Sequence, residues 1–105
     1  MELRGLDVGI RPWAEYLVSA IRQAGFRVRV TSVLRSRERQ AQLYAARLAG
    51  RHPYPVAPPG RSAHEWGLAW DMVTEPYGVL YDAGALWRSW GGTWSERDPI
   101  HFEVR

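Results

Sequence analysis

Four side chains in this 105-residue sequence have the types and spacing for one piece of chemistry. His64 and Asp71 lie on either side of Gly67, and His101 stands near the end of the chain. Two imidazoles and a carboxylate, with a fourth position left for water, make the open coordination set that catalytic zinc uses. A lone histidine on a strand is usually a surface or hydrogen-bonded residue, so the signal lies in the combination. Asp98 precedes His101 by one turn's length, which can bring its carboxylate to a water at such a metal. There it would take the proton and later give it to a leaving amine. Without His101 beside it, Asp98-Pro99 reads only as a turn before a strand.

Composition narrows what else this chemistry can be. There is no cysteine, which excludes thiolate nucleophiles, disulfides and Cys-rich metal sites and leaves His, Asp and Glu to hold any metal. The chain is the length of one folded unit, 1–105, with a globular share of apolar and aromatic residues. Its net charge of +3 comes from arginines spread along the chain, with no block that would mark a nucleic-acid arm. A mildly basic surface is compatible with an anionic polymer such as a cell wall. No run approaches a membrane span, and Met1 to Ile10 lacks the apolar region of an export signal. The expectation is a monomer released as a phage lysin, or a domain trimmed from a longer secreted precursor.

The elements that must position these residues follow from periodicity. Helical spacing of Trp13, Leu17, Ala20, Ile21 and Ala24 predicts a first helix over 12–24. Alternation from Phe26 to Leu34 predicts a strand with Val28, Val30 and Leu34 facing the core. Ser36 is suited to cap a second helix with Ala41, Tyr44, Ala45 and Leu48 as its buried stripe. Four prolines between Gly50 and Gly60 predict a surface loop, in which His52 reads as a plain surface residue. The next strand, 67–73, puts Leu68, Trp70 and Met72 on one face and Asp71 on the other. A third helix is expected from Asp82 to the Gly91-Gly92 stop, and a last strand over 99–105 carries His101 and Glu103 opposite Ile100, Phe102 and Val104. This is an α+β pattern: a small antiparallel sheet with helices on one face and the site on the other.

With the residues laid out, a family resemblance is visible. Ser62-Ala63-His64-Glu65-Trp66-Gly67-Leu68-Ala69-Trp70-Asp71 resembles the S-x-H-x-x-G-x-A-x-D signature of the zinc D-alanyl-D-alanine carboxypeptidase and L-alanyl-D-glutamate endopeptidase family. Trp90-Gly91-Gly92-Thr93-Trp94 and Asp98-Pro99-Ile100-His101-Phe102-Glu103 are similar to elements of the endopeptidase branch. Leu34-Arg35-Ser36 with Gln40, Leu43 and Tyr44 resembles a third segment. The resemblance implies one zinc ion held by His64, Asp71 and His101, Asp98 as base, and Arg35 holding the substrate carbonyl or its oxyanion. It implies hydrolysis of the peptidoglycan stem peptide, at the L-Ala–D-Glu bond or, in the other branch, at terminal D-Ala. The family's Gly-aromatic pair before Arg-Ser is Val33-Leu34 here.

Arg35 falls on the non-core side of its strand, where a permanently charged fork can reach an oxyanion. Of the six tryptophans, Trp13, Trp70, Trp87 and Trp90 fall on apolar stripes, which leaves Trp66 and Trp94, with Ser62, as expected substrate contacts. Other readings fit worse. An H-E-x-x-H helix fails because Leu68 stands where its second histidine belongs. A serine hydrolase built from Ser62, His64 and Asp71 lacks a nucleophile elbow. A wall-binding module without catalysis would use the same scaffold.

Overall fold

The computed structural model describes residues 2–105. Three helices, α1 (Arg11–Gln23), α2 (Arg37–Leu48) and α3 (Val79–Ser89), accompany three strands, β1 (Arg27–Ser32), β2 (Ala69–Glu75) and β3 (His101–Glu103). The strands form one antiparallel sheet in the order β1-β2-β3. The α+β architecture expected from the pattern is the one observed. No described helix is long and apolar enough to cross a membrane.

One face of the sheet carries the core. α1 packs on β1, α3 on β2, and the two helices touch. Leu17, Ile21, Trp70, Met72, Leu80, Trp87 and Phe102 are buried together. Trp70 stacks on Phe102 with ring centroids 5.2 Å apart and meets Trp87 edge-on at 4.9 Å. Burial of these aromatic faces is the largest apolar contribution to a chain this small.

The other face carries polar residues, and register decides which. Asp71 and His101 are direct partners across β2 and β3. On the opposite side a bulge between Val30 and Ser32 places Ser32 against Asp71. The alternation that buries Trp70 and Met72 therefore sets Asp71 between two polar neighbours.

Several expectations are corrected. The buried stripe of α1 is Ala14, Leu17, Val18 and Ile21, so Trp13 lies off it, 56% exposed, against Trp90 at 5.9 Å. The only buried residue of α2 is Gln40, and Leu48 is exposed, because α1 and α3 already cover the core face and α2 flanks the opposite side. Leu34 is exposed, since β1 ends at Ser32 before reaching it. The stretch 63–66 is a 3-10 turn capped by Gly67 in the left-handed region (φ 71°), so β2 begins at Ala69 and Leu68 is only half-buried. α3 starts behind the turn at Pro76, where Val79 N–H bonds the Pro76 carbonyl, and Asp82 lies in its first turn instead of capping it.

Candidate functional site

His64 is placed by the 3-10 turn. Ser62 Oγ accepts from the His64 amide at 3.2 Å, and the Arg35 amide donates to the His64 carbonyl at 3.0 Å. The imidazole is almost fully buried. Its Nδ1 lies 2.7 Å from the Val33 carbonyl, which can only accept, so Nδ1 carries a proton and Nε2 is the nitrogen turned toward Asp71. That Nε2 stands 3.0 Å from Asp71 Oδ1.

His101 approaches the same oxygen from β3, with Nδ1 at 3.0 Å from Asp71 Oδ1 and Nε2 at 2.7 Å from Glu103 Oε1. Burial by itself lowers the His101 pKa, but hydrogen bonds to the two carboxylates outweigh it and raise it to about 9. Asp71 is the converse: burial raises it, while hydrogen bonds from both histidines win and hold it well below the usual carboxylate range. Its second oxygen lies 3.3 Å from Arg35 Nη2. The two imidazoles share one carboxylate oxygen.

This donor set fits a metal ion. His64, Asp71 and His101 each offer one ligand atom, and these atoms all lie within 4.8 Å of one another. Bonds of about 2.0–2.2 Å from N and O ligands need such a cluster, and three protein ligands leave the fourth position open. The second atoms of the ligands are engaged by Val33, Arg35 and Glu103, the outer contacts that fix ligand orientation.

Asp98 lines the same cleft of about 660 Å³ as the three ligand residues. A turn positions it: its amide donates to Ser95 and its carbonyl accepts from the His101 amide. Oδ1 is buried and has no hydrogen-bond partner. Burial pushes the carboxyl pKa up, partly offset by the nearby His101. An ionisable oxygen left buried and unpaired beside a candidate metal-ligand cluster could accept a proton from water.

Arg35 is held by Gln40 Oε1 (2.8 Å) and Ser32 Oγ (2.7 Å) in addition to Asp71. Gln40, 1% exposed, also donates to the Ala57 carbonyl at 2.8 Å and so ties the proline-rich loop to the arginine. Of the remaining expected residues, Ser62 and Trp66 line the cleft, Trp66 as an exposed rim residue.

Trp94 does not line the cleft. It is 5% exposed, packs against Gly84 and Phe102, and donates through Nε1 to the Pro99 carbonyl at 2.9 Å. Its expected substrate contact is withdrawn, because its ring forms part of the core and braces the turn that carries Asp98.

Two residues to which the sequence reading gave no role at the site bear on it. His52 lines the cleft with its Nδ1 3.0 Å from the Tyr54 carbonyl, although its loop has no period to reveal a facing side. Glu65 receives the Gly60 amide on both carboxylate oxygens, at 2.8 and 2.9 Å, and anchors the loop's end. The one available signal was the adjacency of Pro-Gly and Ser-x-His, which makes residue 60 a turn that needs an anchor.

Comparison with known proteins follows the same lines. A profile of the D-alanyl-D-alanine carboxypeptidase family VanY matches residues 5–89, a span that ends before Asp98 and His101. No curated protein is significantly similar in sequence. Among solved structures the chain resembles a variant of the vancomycin resistance D,D-pentapeptidase VanY in complex with Zn(II), with a TM-score of 0.69 and 24% identity over 94% of this chain and 72% of that one. It also resembles the LdcB LD-carboxypeptidase (TM-score 0.70, 18% identity, 94% of this chain and 58% of that one). A third is VanYB in complex with D-alanine-D-alanine (0.64, 22%, 94% and 71%). At these identities the likeness is one of fold.

Proposed function

Because the chain belongs to the D-alanyl-D-alanine carboxypeptidase family VanY, we propose that it is a zinc-dependent peptidase of the peptidoglycan stem peptide, acting at the cell wall and cutting the L-Ala–D-Glu bond. The observation that carries this reading is the convergence of His64 Nε2, Asp71 and His101 Nδ1 beside the unpartnered Asp98 carboxylate oxygen. Zinc held by those three residues would supply Lewis-acid chemistry, polarising a carbonyl and making water a nucleophile near neutral pH.

The chain's own groups do the rest. Asp98 Oδ1 takes the proton of the attacking water and returns it to the leaving amine. Its raised pKa makes it a stronger base than an ordinary carboxylate. Arg35, with Nη1 and Nη2 pinned by Gln40, Ser32 and Asp71, turns its remaining N–H groups toward the substrate carbonyl, where negative charge develops. The Ser62 hydroxyl and the exposed Trp66 ring contact the peptide at the rim.

The choice of bond rests on the Trp90–Trp94 and Asp98–Glu103 segments, which resemble the endopeptidase branch. It is also supported by the extent of the cleft. A second groove of about 630 Å³ adjoins the first and shares Arg35, Leu43, His52 and Asp71 with it. An endopeptidase needs chain on both sides of the scissile bond. A second reading, removal of terminal D-Ala, is favoured by the matched family's own activity and by the D-alanine-D-alanine in the VanYB complex. Hydrolysis of purified sacculi by the zinc-loaded protein, followed as released amine, tests the common part. Activity should be abolished by a chelator and restored by zinc, and full activity in the chelated protein would refute it.

A further inference from the structure

Glu103 has no role in the chemistry above, yet its backbone and both its carboxylate oxygens are held in place beside His101. Its backbone is pinned from both sides. Glu103 N–H donates to Thr93 O at 3.1 Å, Thr93 N–H donates to Glu103 O at 2.9 Å, and the Trp87 indole N–H adds 2.9 Å to the same carbonyl. On the other edge it stands opposite Ala69 of β2. Phe102, fully buried, locks the pleat between His101 and Glu103, so the two side chains share one face of β3.

Both carboxylate oxygens are committed. Oε1 lies 2.7 Å from His101 Nε2, and Oε2 lies 3.1 Å from Arg105 Nε. Oxygens so engaged make Glu103 a poorer base than Asp98, whose Oδ1 has no partner. It is instead placed to decide which nitrogen of His101 faces the metal. With a cation on the Asp71 side, Glu103 would be the acceptor left to the ring, so the proton of a neutral imidazole would sit on Nε2 and the lone pair on Nδ1, the atom 3.0 Å from Asp71 Oδ1. The two histidines are thus oriented differently. His64 is fixed by a neutral backbone carbonyl, whereas His101 is fixed by a charged group that also raises its basicity as a ligand.

We propose that Glu103 is a positioning residue for the metal: through His101 it fixes Nδ1 as the coordinating atom and strengthens metal binding, without touching substrate. This inference rests on the zinc reading above. It is tested on the full chain by zinc affinity, measured by competition with a chromophoric chelator, and by the ¹⁵N spectrum of the imidazole groups in the zinc-loaded protein. The wild type should bind zinc with the His101 proton on Nε2. Glu103→Ala should bind zinc about 10–100-fold more weakly. Glu103→Gln, whose amide oxygen still accepts from Nε2–H, should keep the tautomer and lose less affinity. A folded Glu103→Ala variant with zinc affinity within twofold of wild type would overturn the proposal. So would a wild-type spectrum with the His101 proton on Nδ1, a result that decides the matter even where the alanine variant does not fold. Failure of the wild type to bind zinc would overturn the zinc reading itself, and is distinct from either outcome.

Discussion

A methyl group added at Gly84, on the far side of the sheet from the site, should weaken both the fold and catalysis. In α3 a Cβ at this position would lie 2.1, 2.2 and 2.5 Å from Cδ2, Cε2 and Cε3 of Trp94. Carbon atoms in contact sit about 3.5–4.0 Å apart, so the indole or the helix must retreat by more than about 1 Å. Trp94 has little freedom to do so, being 5% exposed, hydrogen-bonded to the Pro99 carbonyl at 2.9 Å and packed on Phe102. Overpacking of this kind costs about 1–3 kcal/mol, and the rigid ring puts Gly84→Ala at the upper end. The better helix propensity of alanine returns about 1 kcal/mol. A net loss of about 2 kcal/mol lowers the melting temperature by roughly 10 °C in a domain of this size. Because Trp94 braces the Asp98-Pro99 turn, the base moves with it, and a displacement of about 1 Å can cost about 100-fold in rate. Urea unfolding and the hydrolysis rate of the zinc-loaded variant are the assays. Gly78→Ala, whose Cβ meets nothing within 4 Å, is the control and should stay within about 0.5 kcal/mol of wild type. A Gly84→Ala protein as stable as wild type would refute the packing argument.

Three further outcomes are expected. Asp98→Asn should keep its zinc, by metal analysis, and lose about 100-fold or more in hydrolysis, since the carboxylate acts on water and is not a ligand. Arg35→Met should lower kcat by about 100- to 1,000-fold, the cost of removing an oxyanion donor, with KM changed much less in steady-state kinetics. Metal-free protein should lose thermal stability as pH rises from about 6.5 to 9. His101 is raised to about 9 in the folded state, so its stabilising charge is fully present below the unfolded pKa and lost as pH passes through the folded one. His101→Gln should flatten that slope in melting curves.

The parts of this architecture legible in the sequence are those governed by a strict period. Asp71 and His101 appear on the polar face of their strands because Trp70, Met72 and Phe102 alternate with them, and pairing across β2 and β3 then brings the two together. What the sequence hid depends on which surfaces are already covered. The stripe assigned to α2 presumed that every helix covers the sheet, whereas α1 and α3 fill that face and α2 turns Gln40 toward Arg35 and the loop. Trp94 follows the Gly91-Gly92 stop in a segment without period, so nothing local shows that its ring enters the slot left by the missing side chain of Gly84. A glycine inside a helix, costly against alanine, was the available hint. Trp13 was misplaced by a single position, because the apolar residues of α1 are numerous enough to define two neighbouring stripes.

The most direct measurement is mass spectrometry of stem peptides from sacculi digested by the zinc-loaded protein, with chelated protein and Asp98→Asn as controls. The expected result is zinc-dependent cleavage of a stem-peptide bond, with new N-terminal D-Glu on the released fragments and little product in either control. Release of D-Ala alone would move the cut to the terminal bond and leave the site chemistry standing. Stem peptides left intact by the zinc-loaded protein would contradict the assignment of this site to peptidoglycan hydrolysis.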